Sequence, residues 1–337
     1  MSEKKKVLLI DANNMFFRAY AANPSLNING QHVGAIIGFF YSLQKCIKDT
    51  RPHKVVVIWD GKGGSKKRQE IRPDYKHGRK PPKPLRLNRA LDIERTDEEE
   101  KNSSLYQQGR IIGLLNSLPI LQLCEPGVEA DDFIAYMNNF YSCEEHLKII
   151  VSNDKDFIQL LDNCTLLYRP TTKEFVSHKA ALSEYGIHPV NMALARAIAG
   201  DNSDNLDGVP RVGLATVAKL LPEFASDEAI AFEKLESLCE ALKLTQKVNK
   251  KERKSLPPAE AILEHIDKVK NNYKIMQLYM PMVPAVAKLM VDEQVSNFKM
   301  EINMDQFLAD MKEDGIFGVA FTEIVRHCKN MIRETQK

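Results

Sequence analysis

The chain has 337 residues, 44% hydrophobic and 27% charged, enough apolar material for a sizeable core and too much to leave the chain disordered. Its 47 Lys and Arg against 45 Asp and Glu give a net charge of +2, so the total selects no partner class. The six cysteines form no CxxC pair and no Cys/His cluster of zinc spacing, which excludes a zinc finger or ribbon and leads us to expect reduced, buried thiols. MSEKKK runs into a strand-like segment without an apolar leader, and no apolar run approaches a membrane span. The expectation is a soluble, cytoplasmic monomer.

In chain order, Val7 to Asp11 reads as a buried strand ending in a carboxylate, followed by helical periodicity from Val33 to Ile47. Lys54 to Asp60 (KVVVIWD) repeats the strand-then-acid pattern. A helix is expected from Leu105 to Leu118, a short strand at Ile120 to Leu123, a helix from Glu129 to Tyr141, and a third acid-ended strand from Leu147 to Asp154. Strands alternating with helices predict an α/β fold with a mostly parallel sheet flanked by helices. In such sheets ligands bind beyond the carboxyl ends of the strands, where three strands here each deliver an Asp. After about Leu182 the pattern turns helical, with helices expected at Pro189 to Ala199, Val212 to Leu221, Asp227 to Leu242 and Pro258 to Leu278. The division expected is a catalytic domain over 1–184, a helical domain over 185–290 and a C-terminal segment over 291–337.

The acids Asp11, Asp60, Glu129, Asp131, Asp132, Asp154, Asp156, Asp201 and Asp204 stand in the settings IDANN, IWDG, VEADD, SNDKD and GDNSDN. Any one of them alone reads as a helix cap. Together, so many like charges at one sheet edge would repel, and divalent cations would remove that penalty. Carboxylate and water oxygens suit Mg²⁺ or Mn²⁺ rather than zinc or copper. Two ions about 4 Å apart activate a water and stabilise the leaving oxygen of a phosphodiester. No phosphate-binding glycine loop of nucleotide-hydrolase spacing is present.

Between Lys62 and Arg89 there are eleven Lys or Arg against Glu70 and Asp74, and Asp92 to Glu100 then swings the sign back. Lys67, Arg68, Lys76 and Arg79 lie close in sequence to Asp60, placed to hold a phosphate. Tyr75 among them is expected to stack on a base. Further on, GVPRVGLATVAKLL forms a tight turn into a helix. Gly208, Val209 and Gly213 would offer backbone, and Arg211 and Lys219 charge, to a nucleic-acid phosphate.

At this point the residues resemble a known family, the 5′ nucleases: phage 5′-exonuclease/flap endonucleases, the 5′-nuclease domain of bacterial DNA polymerase I, and eukaryotic flap endonucleases. VLLIDANNMFFRAY, VVVIWDGKGGSKKRQEIRPDYKHGR, VEADD, SNDKDFIQLL and GDNSDNLDGVPRVGLATVAKLL follow in that family's order, from about residue 5 to 222. The resemblance implies a resolvase- or PIN-like catalytic domain, a helix-three-turn-helix module, and a helical arch at about 75–110. It implies a site for two ions, Mg²⁺ or Mn²⁺, with Asp11, Asp60, Glu129 and Asp131 matching first-metal positions. Asp132, Asp154, Asp156, Asp201 and Asp204 match second-metal or supporting positions. Lys76 matches the lysine on the scissile phosphate, with Arg79 and Arg68 as helpers. Family members often bind K⁺ at the Gly208–Gly213 turn; Arg211 here stands where the family commonly has Gly. The implied activity is cleavage of 5′ flaps and 5′ ends of DNA, with RNA primers in RNA–DNA hybrids as a further target. The implied setting is replication or repair, beside proteins such as single-stranded-DNA-binding protein or a polymerase. Two rivals are a DNA-binding module with an inactive site and a PIN-type ribonuclease.

Overall fold

The computed structural model describes residues 4–78, 96–245, 256–316 and 321–335. Its centre is a six-stranded sheet in the order β3-β2-β1-β4-β5-β6, with β1 at Lys5–Asp11, β2 at Lys54–Ile58, β3 at Leu121–Leu123, β4 at His146–Val151, β5 at Thr165–Arg169 and β6 at Glu174–Val176. All neighbours pair in parallel except β5 with β6. The chain leaves β1 towards β2 and β3 on one side and returns to β4 on the other. The carboxyl ends of β1 and β4 therefore flank the crevice where strand order reverses, the usual ligand position of an open α/β sheet.

The strands read as continuous apolar runs because both faces are covered. Val7, Leu9, Val56 and Ile58 face one cluster, which contains Phe133 and Ile134 and runs without a break to Val295. Leu8, Ile10, Val55, Val57, Ile149 and Val151 face the other, with Phe16, Phe39 and Phe40. The helices Met304–Glu313 and Phe321–Thr335 close that second cluster through Phe307, Met311, Ile324, Val325, Cys328 and Met331. The C-terminal segment is thus part of the body. The boundary expected at 290/291 falls inside the helix Ala285–Asn297, and the helical region beyond 185 shares its core with one face of the sheet.

Other expectations also change. Strands β5 and β6 were not anticipated, because their apolar runs are short and interrupted by Arg169 to Lys173. The helix expected from Pro258 to Leu278 breaks at His265 into Pro258–Glu264 and Ile266–Met276. The helix expected from Leu105 starts earlier, at Asp97, where Thr96 and Glu99 form a reciprocal capping box and four acids face the helix N-terminus. Residues 79–95 of the expected arch, with Arg79, lie outside the described residues. Not all cysteines are buried thiols: Cys143 is bonded to Cys164, Cα atoms 5.5 Å apart, and Cys124 is exposed.

Past the sheet, the helices Pro189–Ala199 and Leu214–Leu220 are joined by a loop closed by a two-residue antiparallel ladder, Gly200 with Asp207 and Asp201 with Leu206. Only glycine fits at the crossing. A Cβ on Gly208 would stand 2.1 Å from the Ala199 carbonyl oxygen, and Gly200 has φ +78°.

Candidate metal centre

Each expected carboxylate is placed by an element end. Asp11 closes β1 and caps the helix Ala12–Ala22, accepting the Asn14 amide at 3.0 Å on one oxygen and the Ser152 hydroxyl at 2.9 Å on the other. It thereby ties the ends of β1 and β4 together. Asp60, two residues past β2, accepts the Ala130 amide at 2.8 Å and the Asn13 side-chain amide at 2.5 Å. Asp154 caps the 3₁₀ turn Lys155–Leu160 through the Asp156 amide at 2.9 Å. Asp201 accepts from the Ser203 amide at 2.8 Å and its hydroxyl at 2.6 Å. Asp131, Asp156 and Asp204 line a small cavity with Arg68, Tyr75, Leu206 and the segment Ile275 to Leu278.

These acids share one electrostatic field. Burial, with Asp60 and Asp154 nearby, raises Asp11 to about 7. Burial, then the charges of Asp154, Asp204 and Asp201 set against Arg196, raise Asp156 to about 7. Asp131 is pushed well above the carboxylate range by burial and by Asp154, Asp11 and Asp156. Glu129 is the exception. Burial pushes it up, but Lys76, Arg68 and the Ser65 hydroxyl outweigh that and hold it below its ordinary value. Its oxygens meet Lys76 Nζ at 2.9 Å, Arg68 Nη1 at 2.6 Å and Ser65 Oγ at 2.5 Å.

The fit to divalent ions can be judged on these residues. Their donors are all oxygen, their charges are compressed together, and buried Asp156 Oδ1 makes no hydrogen bond and meets only the Arg196 cation. Asp11, Asp60, Asp154, Asp156 and Asp201 are nonetheless turned to an amide, a hydroxyl or a cation. Among the described residues no three Asp, Glu, His or Cys side chains stand together as a finished cage. The donor set fits hard divalent cations, with side-chain rotation needed to close on them.

Several expected roles are corrected. Arg68 is not poised for a phosphate: it is 3% exposed and donates through Nε to the Ile275 carbonyl at 2.9 Å and through Nη1 and Nη2 to Asp132 at 2.6 and 3.2 Å. Asp132 gives its oxygens to Arg68 and to the Met282 amide at 2.9 Å, contacts that leave neither oxygen open to an ion as placed. Tyr75 is 4% exposed within the core, with its hydroxyl 3.5 Å from Glu129, so its ring offers no face to a base. The ammonium of Lys67 is bound to the Met282 carbonyl at 2.8 Å, and the Val209 amide to the Ile198 carbonyl at 2.8 Å. Neither is free for a phosphate as expected. Lys76 does stand at the site, half-buried, its backbone left-handed at φ +54° and its amide on the Asp204 carbonyl at 3.2 Å. Gly213, Arg211 and Lys219 are exposed. Arg211 adopts φ +64°, the conformation a glycine would supply there, so the turn keeps its path.

Four groups escaped the sequence reading: Ser65, Ser152, Asn13 and Arg196. Arg196 had a signal, being the one charged residue in the apolar helix PVNMALARAIA. A lone cation in such a helix needs a buried acid. Its guanidinium pairs with Asp156 and, at 2.6 Å, with Asp201.

The raised carboxylates predict a pH dependence. Asp11 and Asp156 are protonated in the folded, metal-free protein up to about pH 7 but only to 3.8 when unfolded. The stabilisation linked to that proton is complete below 3.8 and is lost as pH rises through 7. The unfolding temperature of chelator-treated protein should fall by several degrees between pH 5 and pH 8, and Mg²⁺ should restore it at pH 8 more than at pH 5. Thermal scans at equal ionic strength measure this; a metal-free curve that rises towards pH 8 would contradict it.

The family model described as "5′-3′ exonuclease, N-terminal resolvase-like domain" matches residues 6–186. The 5′-3′ exonuclease of Aquifex aeolicus is 31% identical over 228 residues, 67% of this chain and 72% of that protein. The thermostable DNA polymerase I of Thermus aquaticus is 31% identical over 277 residues, 82% of this chain but 29% of the polymerase. The fold resembles that of the bacteriophage T5 D15 protein co-crystallised with metal ions, at TM-score 0.62 and 19% identity, covering 92% of this chain and 99% of that one. With a mostly parallel sheet closed by carboxylates at its switch point, the chain is a nuclease and belongs to the 5′-3′ exonuclease family.

Proposed function

We propose that this protein is a structure-specific 5′ nuclease that hydrolyses phosphodiesters at 5′ ends and 5′ flaps of DNA with two divalent cations, Mg²⁺ or Mn²⁺, and acts in replication or repair. One observation carries the reading: Asp11, Asp131 and Asp156 are pushed towards protonation by burial and by one another at the sheet's switch point. The Asn14 and Ser152 bonds to Asp11, the Arg196 charge beside Asp156 and the Lys76 charge near Asp131 offset only part of that cost, whereas bound cations would remove it. When bound, the ions would supply an activated water and charge to stabilise the leaving oxygen. Asp11, Asp60 and Asp131 would hold one, and Asp154, Asp156, Asp201 and Asp204 the other. Ser152 and Asn13 orient Asp11 and Asp60 through the bonds described above. Lys76 is anchored at its amide by Asp204 and at Nζ by Glu129, so its ammonium is fixed beside the acids where a phosphate oxygen would arrive. Exposed Arg211 and Lys219 would take duplex backbone, a contact independent of sequence.

A labelled DNA with a single 5′ flap tests the reading. Wild-type protein in Mg²⁺ should release the flap and Asp154→Asn should not. Binding of the flap by wild-type protein without cleavage would make it a binding module. Cleavage of RNA alone would make it a ribonuclease.

A further inference from the structure

Among the described residues two arginines are buried against this carboxylate cluster, and they are satisfied very differently. Arg68 makes good hydrogen bonds through Nε, Nη1 and Nη2, to the Ile275 carbonyl and to Asp132 and Glu129. It is locked. Arg196, 7% exposed, bonds Asp201 through Nη2 at 2.6 Å, while its Nε is buried with no partner. Its second acid, Asp156, meets the same Nη2 through Oδ1 in ion-pair contact, so one nitrogen serves both carboxylates. A buried ion pair recovers its desolvation cost only when its remaining polar atoms are also satisfied. The Arg196 pairing is therefore a weak one for its depth.

Arg196 also has somewhere to go. It borders a polar cavity of about 480 Å³ lined by Asn14, Asn153, Asp154, Asp201 and Ser203. Arg68 faces a cavity of only about 10 Å³. A guanidinium swung into the larger space would leave Asp156 and Asp201 open while staying within reach of polar groups. Among the described residues no cation pairs with Asp11 or Asp60, whose partners there are amides and a hydroxyl.

We propose that Arg196 is an exchangeable counter-ion: it neutralises Asp156 and Asp201 until a divalent cation displaces it, and so makes one of the two ion sites weaker than the other. Arg196 acts through the two carboxylates and is a positioning residue. The inference rests on the two-ion reading above and specifies a reason for the two ions to bind with unequal affinity. An ion entering the Asp11–Asp60 side meets uncompensated acids. An ion entering the Asp156–Asp201 side must first break a pairing with a fixed positive charge, and its apparent affinity is reduced by the fraction of protein in which the guanidinium has moved away.

Calorimetric titration of the chelator-treated protein with Mn²⁺ alone tests this, without substrate or turnover. Wild-type protein should show two unequal binding events. Arg196→Gln should tighten the weaker event at least tenfold and leave the tighter one within threefold. Arg196→Lys, which keeps the charge, should stay close to wild type. If Arg196→Gln weakens the same event, the arginine organises the acids for the ion and the proposal fails. It fails equally if neither event moves or if both move together. A single event in the wild-type protein would instead sink the two-ion reading itself. A readout that needs no variant guards against misfolding of Arg196→Gln. In wild-type protein the Arg196 Nε resonance should move with the second equivalent of Mg²⁺ and not the first. A shift completed at the first equivalent, or none at all, overturns the proposal.

Discussion

Asp11→Asn should lose cleavage of a 5′ flap by roughly 10³-fold, the scale of removing one preorganised electrostatic partner of a transition state, while making the metal-free protein more stable. The two effects have one cause. Asp11 is buried beside Asp60 and Asp154, and its pKa of about 7 measures how poorly the folded state tolerates its charge. Asparagine removes that charge and keeps the shape. Its side-chain oxygen still caps the helix at the Asn14 amide, since Asn is as good a cap as Asp. Its amide can donate to the Ser152 hydroxyl, which now donates to the carboxylate. The stability gain at pH 8 should be about 0.5–2 kcal/mol, in the usual range for relieving a strained functional site. Urea unfolding with a chelator present would measure it, and the gain should shrink in saturating Mg²⁺. A variant that is both inactive and clearly less stable at pH 8 without metal would show that Asp11 is primarily a structural cap.

Arg68→Met should be among the most damaging substitutions in the chain, although Arg68 touches no substrate in the proposed mechanism. Its guanidinium is shared by Glu129 and Asp132, 2.6 Å from an oxygen of each, and it also binds the Ile275 carbonyl. Those contacts join the short helix Lys66–Ile71, the helix Ala130–Phe140 and the end of the helix Ile266–Met276. Removing the cation leaves two buried carboxylates, of which only Glu129 keeps a cation, Lys76. Breaking a buried pair from one side typically costs about 3–5 kcal/mol. Asp132→Asn added to Arg68→Met should return about 1 kcal/mol or more, because it removes one stranded charge and keeps the acceptor for the Met282 amide. Equilibrium unfolding of the two single variants and the double variant forms the cycle. Additive losses would show that Asp132 does not depend on Arg68.

Parts of the site were legible in the sequence for a simple reason. An acid at the end of an apolar run lies at the carboxyl edge of a parallel sheet, whatever the detailed packing. Asp11, Asp60 and Asp154 could be placed there from strand patterns alone, and the helix Pro189–Ala199 from its proline start and glycine end. Charge alone says nothing of orientation, and here reading from composition failed. Lys67, Arg68 and Lys76 occupy one basic stretch, yet the first is bound to a carbonyl, the second is buried as a structural clamp, and the third stands at the acids. Tyr75 looked available for stacking because it sat among cations, and it proved to be core.

The sequence by itself determined the alternating α/β order and the acids at strand ends, because both follow from local periodicity. The tertiary structure decided which charges pair. A salt bridge joins residues brought together from far apart in the chain, as Arg68 is with Glu129 and Asp132, and its energy depends on burial that no local pattern encodes. The same reason explains why the C-terminal helices belong to the body and why Arg196 came to lie between two of the acids. Those are outcomes of packing across the sheet, and they become visible only when the whole chain has folded.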